Sequence, residues 1–208
     1  MMVQRAAVSP KSRPRFIEPM ECKRVSKLPE GDAWVYEPKQ DGYRIIAVID
    51  GASPLLFSMS GLNYTAKYPH VAEALKWLKL KEAVFDGEVV ALDPSGRPNF
   101  QELQNARLTK LPIIYYVFDL LHLRGRDLLD RRLSERRNQL EQLAADFADP
   151  VRLNPAFHVS LADFEATVRK LGLEGIVANP GPKVPSKKEN SGVKRLIYKR
   201  KIRTLIVI

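Results

Sequence analysis

Cysteine is almost absent from this chain. Cys22 is alone, so no internal disulfide can form, and a reducing, cytoplasmic setting fits. Histidine is nearly as scarce, at His70, His122 and His158, and no cysteine–histidine spacing resembles a zinc site. No apolar run is long enough for a signal segment or a membrane span, which argues against a membrane partner. Internal repeats are missing too. Acidic residues are outnumbered, 24 Asp and Glu against 34 Lys and Arg, leaving a formal net charge of +10. Such an excess attracts phosphate polyanions and makes any such binding salt-dependent, although it is also compatible with a merely basic soluble protein. With 208 residues, 45% of them hydrophobic, the chain can bury a sizeable core.

Residues 1–18 read as a flexible basic arm and 19–208 as one folded domain. Trp34 to Pro38 and Tyr43 to Ile49 are rich in aromatic and β-branched residues, and they flank Asp41-Gly42. They read as two strands joined by a tight connection, with Asp-Gly the signal of a hairpin. A strand at Leu55 to Ser58, a helix at Pro69 to Leu78 and a strand at Ala83 to Leu92 follow, then a turn at Asp93-Pro94-Ser95-Gly96. Phe100 to Ala106 reads as a short helix and Ile113 to Leu121 as a buried strand. Ser134 is placed as the cap of a helix reaching about Phe147, with Arg137 and Glu141 an exposed i,i+4 pair. Leu161 to Leu171 is a further helix and Gly175 to Ala178 a strand. Asn179 to Lys194, with three prolines, two glycines and four lysines, reads as a mobile basic loop before β-prone Leu196 to Lys199 and Thr204 to Ile208.

Chemistry is concentrated in short stretches. Lys39-Gln40-Asp41-Gly42-Tyr43-Arg44 puts an amine, a carboxylate, a tight turn and a cation within six residues. Asp86-Gly87-Glu88, Phe118-Asp119, Glu174-Gly175 and Lys199-Arg200-Lys201 follow in order. Glu88 and Glu174 are hard oxygen donors in β-prone runs, where a carboxylate is unexpected unless paired, ligated or solvent-facing. Lys199 and Lys201, two apart, would share one face of a strand, which suits joint contact with a phosphate. Taken singly, each of these residues is more often a turn, a surface charge or core.

Read together, the series resembles the motif set of the covalent nucleotidyltransferases. The nearest likeness is the adenylation domain of bacterial ATP-dependent DNA ligases of the end-joining type, covering about Pro19 to Lys201. Pro19-Met20, Gly96-Arg97-Pro98-Asn99-Phe100-Gln101 and Leu133-Ser134-Glu135-Arg136-Arg137 add to the likeness, while the three histidines fall outside every motif. The resemblance implies an α+β, ATP-grasp-like fold of antiparallel sheets flanked by helices. It also implies ATP and Mg²⁺ as cofactors, and sealing of nicked duplex DNA through a lysyl-AMP intermediate. Lys39 would be the nucleophile, with Asp41, Lys199 and Lys201 in the catalytic set. Glu37 would lie beside the adenine pocket, Arg44 would reach the ribose and Phe118 would stack on adenine. Glu88 would contact ribose and metal, and Glu174 would hold the divalent ion. A nucleoid-associated place in the cytoplasm and a separate repair or end-joining partner fit this family.

The chain also departs from the pattern. Asn179 stands where the fourth motif should end in a lysine at the α-phosphate, a loss worth about ten- to a hundredfold in rate. Met59, in Ser58-Met59-Ser60-Gly61, replaces an arginine, and Ile197 stands where the family often has tryptophan. The sequence given stops soon after Lys201, without the OB-fold domain that such ligases usually carry, so impaired sealing is expected. A catalytically weak nucleotide- or DNA-binding protein stays open as the rival, as do RNA joining and guanylylation with GTP.

Overall fold

The computed structural model describes residues 12–51, 53–104, 110–181 and 203–207. Two sheets carry the architecture, and the chain is α+β as expected. The smaller sheet has the order β1-β10-β9-β2, from Cys22–Arg24 (β1), Arg203–Val207 (β10), Gly175–Pro180 (β9) and Trp34–Lys39 (β2). The larger has the order β4-β3-β5-β6-β7, from Leu55–Ser58 (β4), Tyr43–Asp50 (β3), Glu82–Ala91 (β5), Ile113–Leu123 (β6) and Arg126–Asp127 (β7). Val151–Leu153 (β8) also pairs with β6. Pairing is mostly antiparallel, but β1 with β10 and β6 with β8 run parallel, so both sheets are mixed.

Alternation along the strands sorts the side chains. On one face of the larger sheet Ile45, Ala47, Ile49, Phe85, Val89, Tyr115 and Val117 are buried. They pack against Val71 and Leu75 of helix α1 (Pro69–Trp77), Leu103 of α2 (Phe100–Gln104) and Leu140 of α3 (Leu133–Ala144). The opposite face buries Ile46, Val48, Val84 and Leu121 at one end and turns polar at the other. A separate cluster of Tyr36, Ile176 and Ala178 seats Phe164 and Val168 of helix α4 (Leu161–Leu171) on the smaller sheet. The Ser160 hydroxyl caps α4 by accepting from the Asp163 amide, and Gly172, at φ 64°, ends it in the left-handed region.

Three expectations are corrected. First, β2 and β3 do not pair with each other: β2 pairs with β9, and β3 with β4 and β5. Asp41-Gly42 is a tight connection, but it carries the chain from one sheet to the other instead of closing a hairpin. Gly42 is required there by crowding, since a Cβ would overlap the Val89 carbonyl oxygen. Second, α3 begins two residues after Arg131, with Arg132 as its N-cap and no side-chain cap, so Ser134 lies inside the helix. Its Arg137 does pair with Glu141, at 3.0 Å, but is largely buried and faces inward. Third, β9 continues through Pro180, because Asn179 and Pro180 pair with Val35 and Trp34. The rest of the expected basic loop lies outside the described residues.

α3 is fixed to the large sheet by a buried ion pair. Arg136 donates through Nε and Nη2 to the two Asp119 oxygens, at 2.8 and 2.7 Å, with both side chains 1% exposed. Its Nη1 donates to the Arg131 carbonyl, while the Leu120 amide donates to Asp119, so the charges are buried with their hydrogen bonds largely satisfied.

Candidate active site

The crossing from β2 to β3 brings one face of each sheet to a common cleft. From the smaller sheet come Glu37 and Lys39 on β2, and Val177 and Asn179 on β9. Lys39 stands opposite Gly175 and Glu37 opposite Val177 in the register. From the larger sheet come Arg44, Asp86, Glu88, Tyr116 and Phe118, with Arg44 opposite Glu88 and Glu88 opposite Tyr116. Gly87 lies on the other face of β5, where a Cβ would stand 2.6 Å from the Tyr115 ring. Only glycine lets β5 lie this close to β6 while presenting Asp86 and Glu88 to the cleft.

Lys39 Nζ forms a close ion pair with Glu174 Oε2, and both side chains keep a little over a quarter of their surface open. This joins residues 135 apart in sequence. Arg44 donates through Nε and Nη2 to both Asp86 oxygens, at 2.8 and 2.7 Å, and its guanidinium lies 5.1 Å from the centre of the Phe118 ring. Burial pushes the Glu88 carboxyl up to about 8, partly opposed by the charges of Arg44 and Lys39 and reinforced by Asp86 and Glu174. Glu88 therefore sits within electrostatic reach of both members of the Lys39–Glu174 pair.

A second network holds the strand that carries Lys39. Glu37 is buried, and its carboxylate accepts from Asn179 Nδ2 at 2.8 Å and from Asn154 Nδ2 at 3.0 Å. Arg137 Nη1 stands 3.7 Å from the same carboxylate, while its Nη2 donates to the Asn154 carbonyl. Asn154 also accepts from Gln40 Nε2 at 2.8 Å, so residues on both sides of Lys39 are anchored to one buried amide.

Of the residues expected from sequence, Glu37, Lys39, Arg44, Glu88, Phe118 and Glu174 are gathered in this cleft. Asp41 is half-buried on the crossing itself. Lys199 and Lys201 lie outside the described residues. Sequence reasoning did not single out Asp86, Arg137 or Asn154 as site residues. Asp86 and Arg137 lay inside noted stretches, but Asn154 carries no signal beyond being an amide on a connecting segment. His122 is buried away from these residues, its pKa lowered by desolvation, and His158 is exposed.

The family model described as the ATP dependent DNA ligase domain matches residues 19–201. The chain belongs to that family. It is 38% identical over 185 residues to the multifunctional non-homologous end joining protein LigD of Pseudomonas aeruginosa, covering 87% of this chain and 22% of that protein. It is 39% identical over 145 residues to the LigD DNA repair protein of Mycobacterium tuberculosis, covering 70% and 19%. The chain thus spans about a fifth of the length of these relatives. Among solved structures, a mycobacterial DNA ligase D complexed with ATP and MES superposes with a TM-score of 0.69 at 34% identity, over 78% of this chain and 53% of that one. The ligase domain of M. tuberculosis LigD gives 0.66 at 36% identity, over 78% and 54%. The fold is accordingly the nucleotidyltransferase fold of the LigD ligase domain. Among the described residues, no helix is long and apolar enough to cross a membrane.

Proposed function

We propose that this ligase-family chain transfers AMP from ATP to Lys39 and thence to the 5′-phosphate of nicked duplex DNA. The observation that carries the reading is the pairing of Lys39 with Glu174 beside Glu88, in a cleft whose residues fall in the family's motif order. The Lys39 ammonium first releases a proton to solvent, and the neutral Nζ attacks the α-phosphorus, losing a second proton to solvent as the phosphoramidate forms. A nitrogen–phosphorus bond forms as the bond to the β-phosphate oxygen breaks, and pyrophosphate leaves with the electron pair. The 5′-phosphate of the nick then displaces Lys39, and a 3′-hydroxyl displaces AMP to close the backbone.

The chain's own residues support each part. The Asn154 and Asn179 amides fix Glu37, and through it β2, so that the Lys39 amine emerges at a set place above the sheet. Glu174 holds the Lys39 ammonium until the nucleotide is bound. The Phe118 ring and the Arg44 guanidinium offer an aromatic face and a cation for the nucleoside.

A divalent cation suits Glu88 and Glu174. They are oxygen donors, and the Glu88 carboxyl is held up chiefly by burial, with smaller upward contributions from Asp86 and Glu174 that a cation would offset. Mg²⁺ bound there would offset charge on the phosphates. Among the described residues, no group of three or more His, Cys, Asp or Glu side chains is placed to hold a metal ion by itself. Lys199 and Lys201 are the further phosphate contacts in this reading, and the +10 charge supplies the attraction to DNA. A cytoplasmic, nucleoid-associated setting and a separate end-joining partner accord with it.

The test follows label from α-labelled ATP, with Mg²⁺, onto the protein and then, after removal of free ATP, onto added nicked duplex with a 5′-phosphate. Transfer in both steps is expected. A protein that takes no label would instead be a nucleotide- or DNA-binding protein that has lost turnover. Label from GTP in preference to ATP would assign it to guanylylation, and transfer only to nicked RNA would assign it to RNA joining.

A further inference from the structure

A groove of about 660 Å³ lies between helix α1 and the connection from α3 to β8, within the size range of clefts that hold ligands. Its walls follow from helical spacing. Pro69, Glu73 and Trp77 recur every four residues and share one stripe of α1, while Val71 and Leu75 are buried against the larger sheet. Asp146, Asp149 and Pro150 line the other side. Trp77 is 72% exposed, a large apolar surface left open to water. Charge sets the groove apart from the rest of the chain. In a protein of net charge +10, the carboxylates of Glu73, Asp146 and Asp149 line it, and no lysine or arginine does. Asp149 is held ionised, its pKa lowered by hydrogen bonds from Arg152 at 2.6 and 2.7 Å. Glu73 meets Lys76 only at 3.6 Å, with both side chains more than half exposed. Asp146 forms no ion pair among the described residues. Exposed pairs of this kind are weak, so these carboxylates can engage a further cation.

We infer that this groove docks an extended, cationic segment of a partner protein. A proline or aliphatic side chain of the segment lies against Trp77, and its lysines or arginines meet Glu73, Asp146 and Asp149. Trp77 with Pro69 and Pro150 makes an aromatic and proline wall, the kind of surface on which extended proline-containing segments lie. The indole face also attracts a cation, which ties the apolar and the charged requirement to one residue. A nucleic acid or an acidic segment is repelled by the same carboxylates. α1 packs on the face of the larger sheet opposite the one that presents Arg44, Asp86 and Glu88, so the groove and the cleft are on different sides of that sheet. The partner is therefore held without displacing anything bound beside Lys39. Docking here goes beyond the ligase reading and does not depend on it.

The probe is a short peptide of repeating Lys-Pro-Leu, compared with the same peptide carrying glutamate in place of lysine, and with spermidine. Binding to the full chain is followed at low salt by calorimetry and by tryptophan emission, with thermal melting as a check of folding. The lysine peptide is expected to bind and to move the emission to shorter wavelength as the Trp77 indole leaves water. The glutamate peptide should leave the emission where it is. Trp77→Ala is expected to lose that shift and about tenfold or more in affinity, the loss of a central aromatic anchor. Glu73→Gln combined with Asp146→Asn should weaken binding by about two- to tenfold, as for exposed charges. If the alanine variant is unfolded, Trp77→Gln takes its place with the same expectations. No binding of the lysine peptide, an equal emission shift from the glutamate peptide, or unchanged affinity in either variant would overturn the inference. Spermidine that displaces the peptide as well as more peptide does would assign the groove to a small polyamine and overturn it too. So would self-association of the chain alone that disappears in Trp77→Ala, because the occupant would then be a second copy.

Discussion

Replacing Glu88 with glutamine should change how stability depends on pH, in a direction that follows from the cleft. Burial raises the Glu88 carboxyl from 4.5 to about 8, with further upward pressure from Asp86 and Glu174. Below the unfolded value both states hold the proton, and Glu88 contributes no pH dependence. Between the two values the native state keeps the proton while the unfolded chain has released it, so stability falls as pH rises. The slope is at most about 1.4 kcal/mol per pH unit. Above about 8 the native carboxyl is also ionised and the slope vanishes. Integrated over the window, the ceiling is about 5 kcal/mol, and partial solvent access to the side chain reduces it to roughly half. Urea unfolding of the original chain and of Glu88→Gln, from pH 5 to 8.5 in EDTA, isolates this contribution, because every other titrating group is common to both. The glutamine chain should gain on the original steadily through this range, and the gain should flatten near pH 8. Parallel stability curves would refute the claim that the cleft disfavours the Glu88 charge.

Other perturbations have equally definite outcomes. Gly87→Ala should destabilise the chain by about 1–3 kcal/mol in urea unfolding, since a Cβ meets the Tyr115 ring and the Tyr116 carbonyl; unchanged stability would mean that β5 and β6 are not packed as described. Asp119→Ala leaves the Arg136 charge buried without its partner and should cost about 3–5 kcal/mol, whereas the double change with Arg136→Met should recover much of it. A double variant no more stable than Asp119→Ala would refute that reasoning. Affinity for nicked duplex should fall steeply as salt rises from low to physiological concentration, as counterion release requires, and binding indifferent to salt would return the +10 charge to a solubility role.

Much of the cleft was legible in the sequence because its chemistry is local and ordered. Lys39, Glu88, Phe118 and Glu174 each sit in a short motif, and their order along the chain restricts the folds that can unite them. The longer strands were legible for a similar reason, since β-branched runs mark them within a few residues, and α4 was read over its observed span; the short β1, β7 and β8 were not read. The sheet assignment of β2 and β3 was not. Asp-Gly punctuates the chain equally well for a hairpin and for a crossing between sheets, and what decides is the crowding of Gly42 by Val89, a contact across 47 positions. The start of α3 was missed because Ser134 has capping chemistry while Arg132 holds the cap position without a side-chain bond. Asn154 was invisible for a stronger reason. An asparagine on a connecting segment is ordinary until the fold places its amide between Glu37 and Gln40, 117 and 114 positions away.

The most direct test of the central claim is the site of adenylylation. The protein is incubated with ATP and Mg²⁺, digested, and its peptides are mapped by mass spectrometry under conditions that preserve a phosphoramidate. The account predicts an acid-labile adenylyl group on Lys39 alone, and none on the protein in Lys39→Ala, which should remain folded because a lysine at a strand end contributes little packing. An adduct of normal yield in Lys39→Ala, or one mapped to another residue of the original chain, would contradict it.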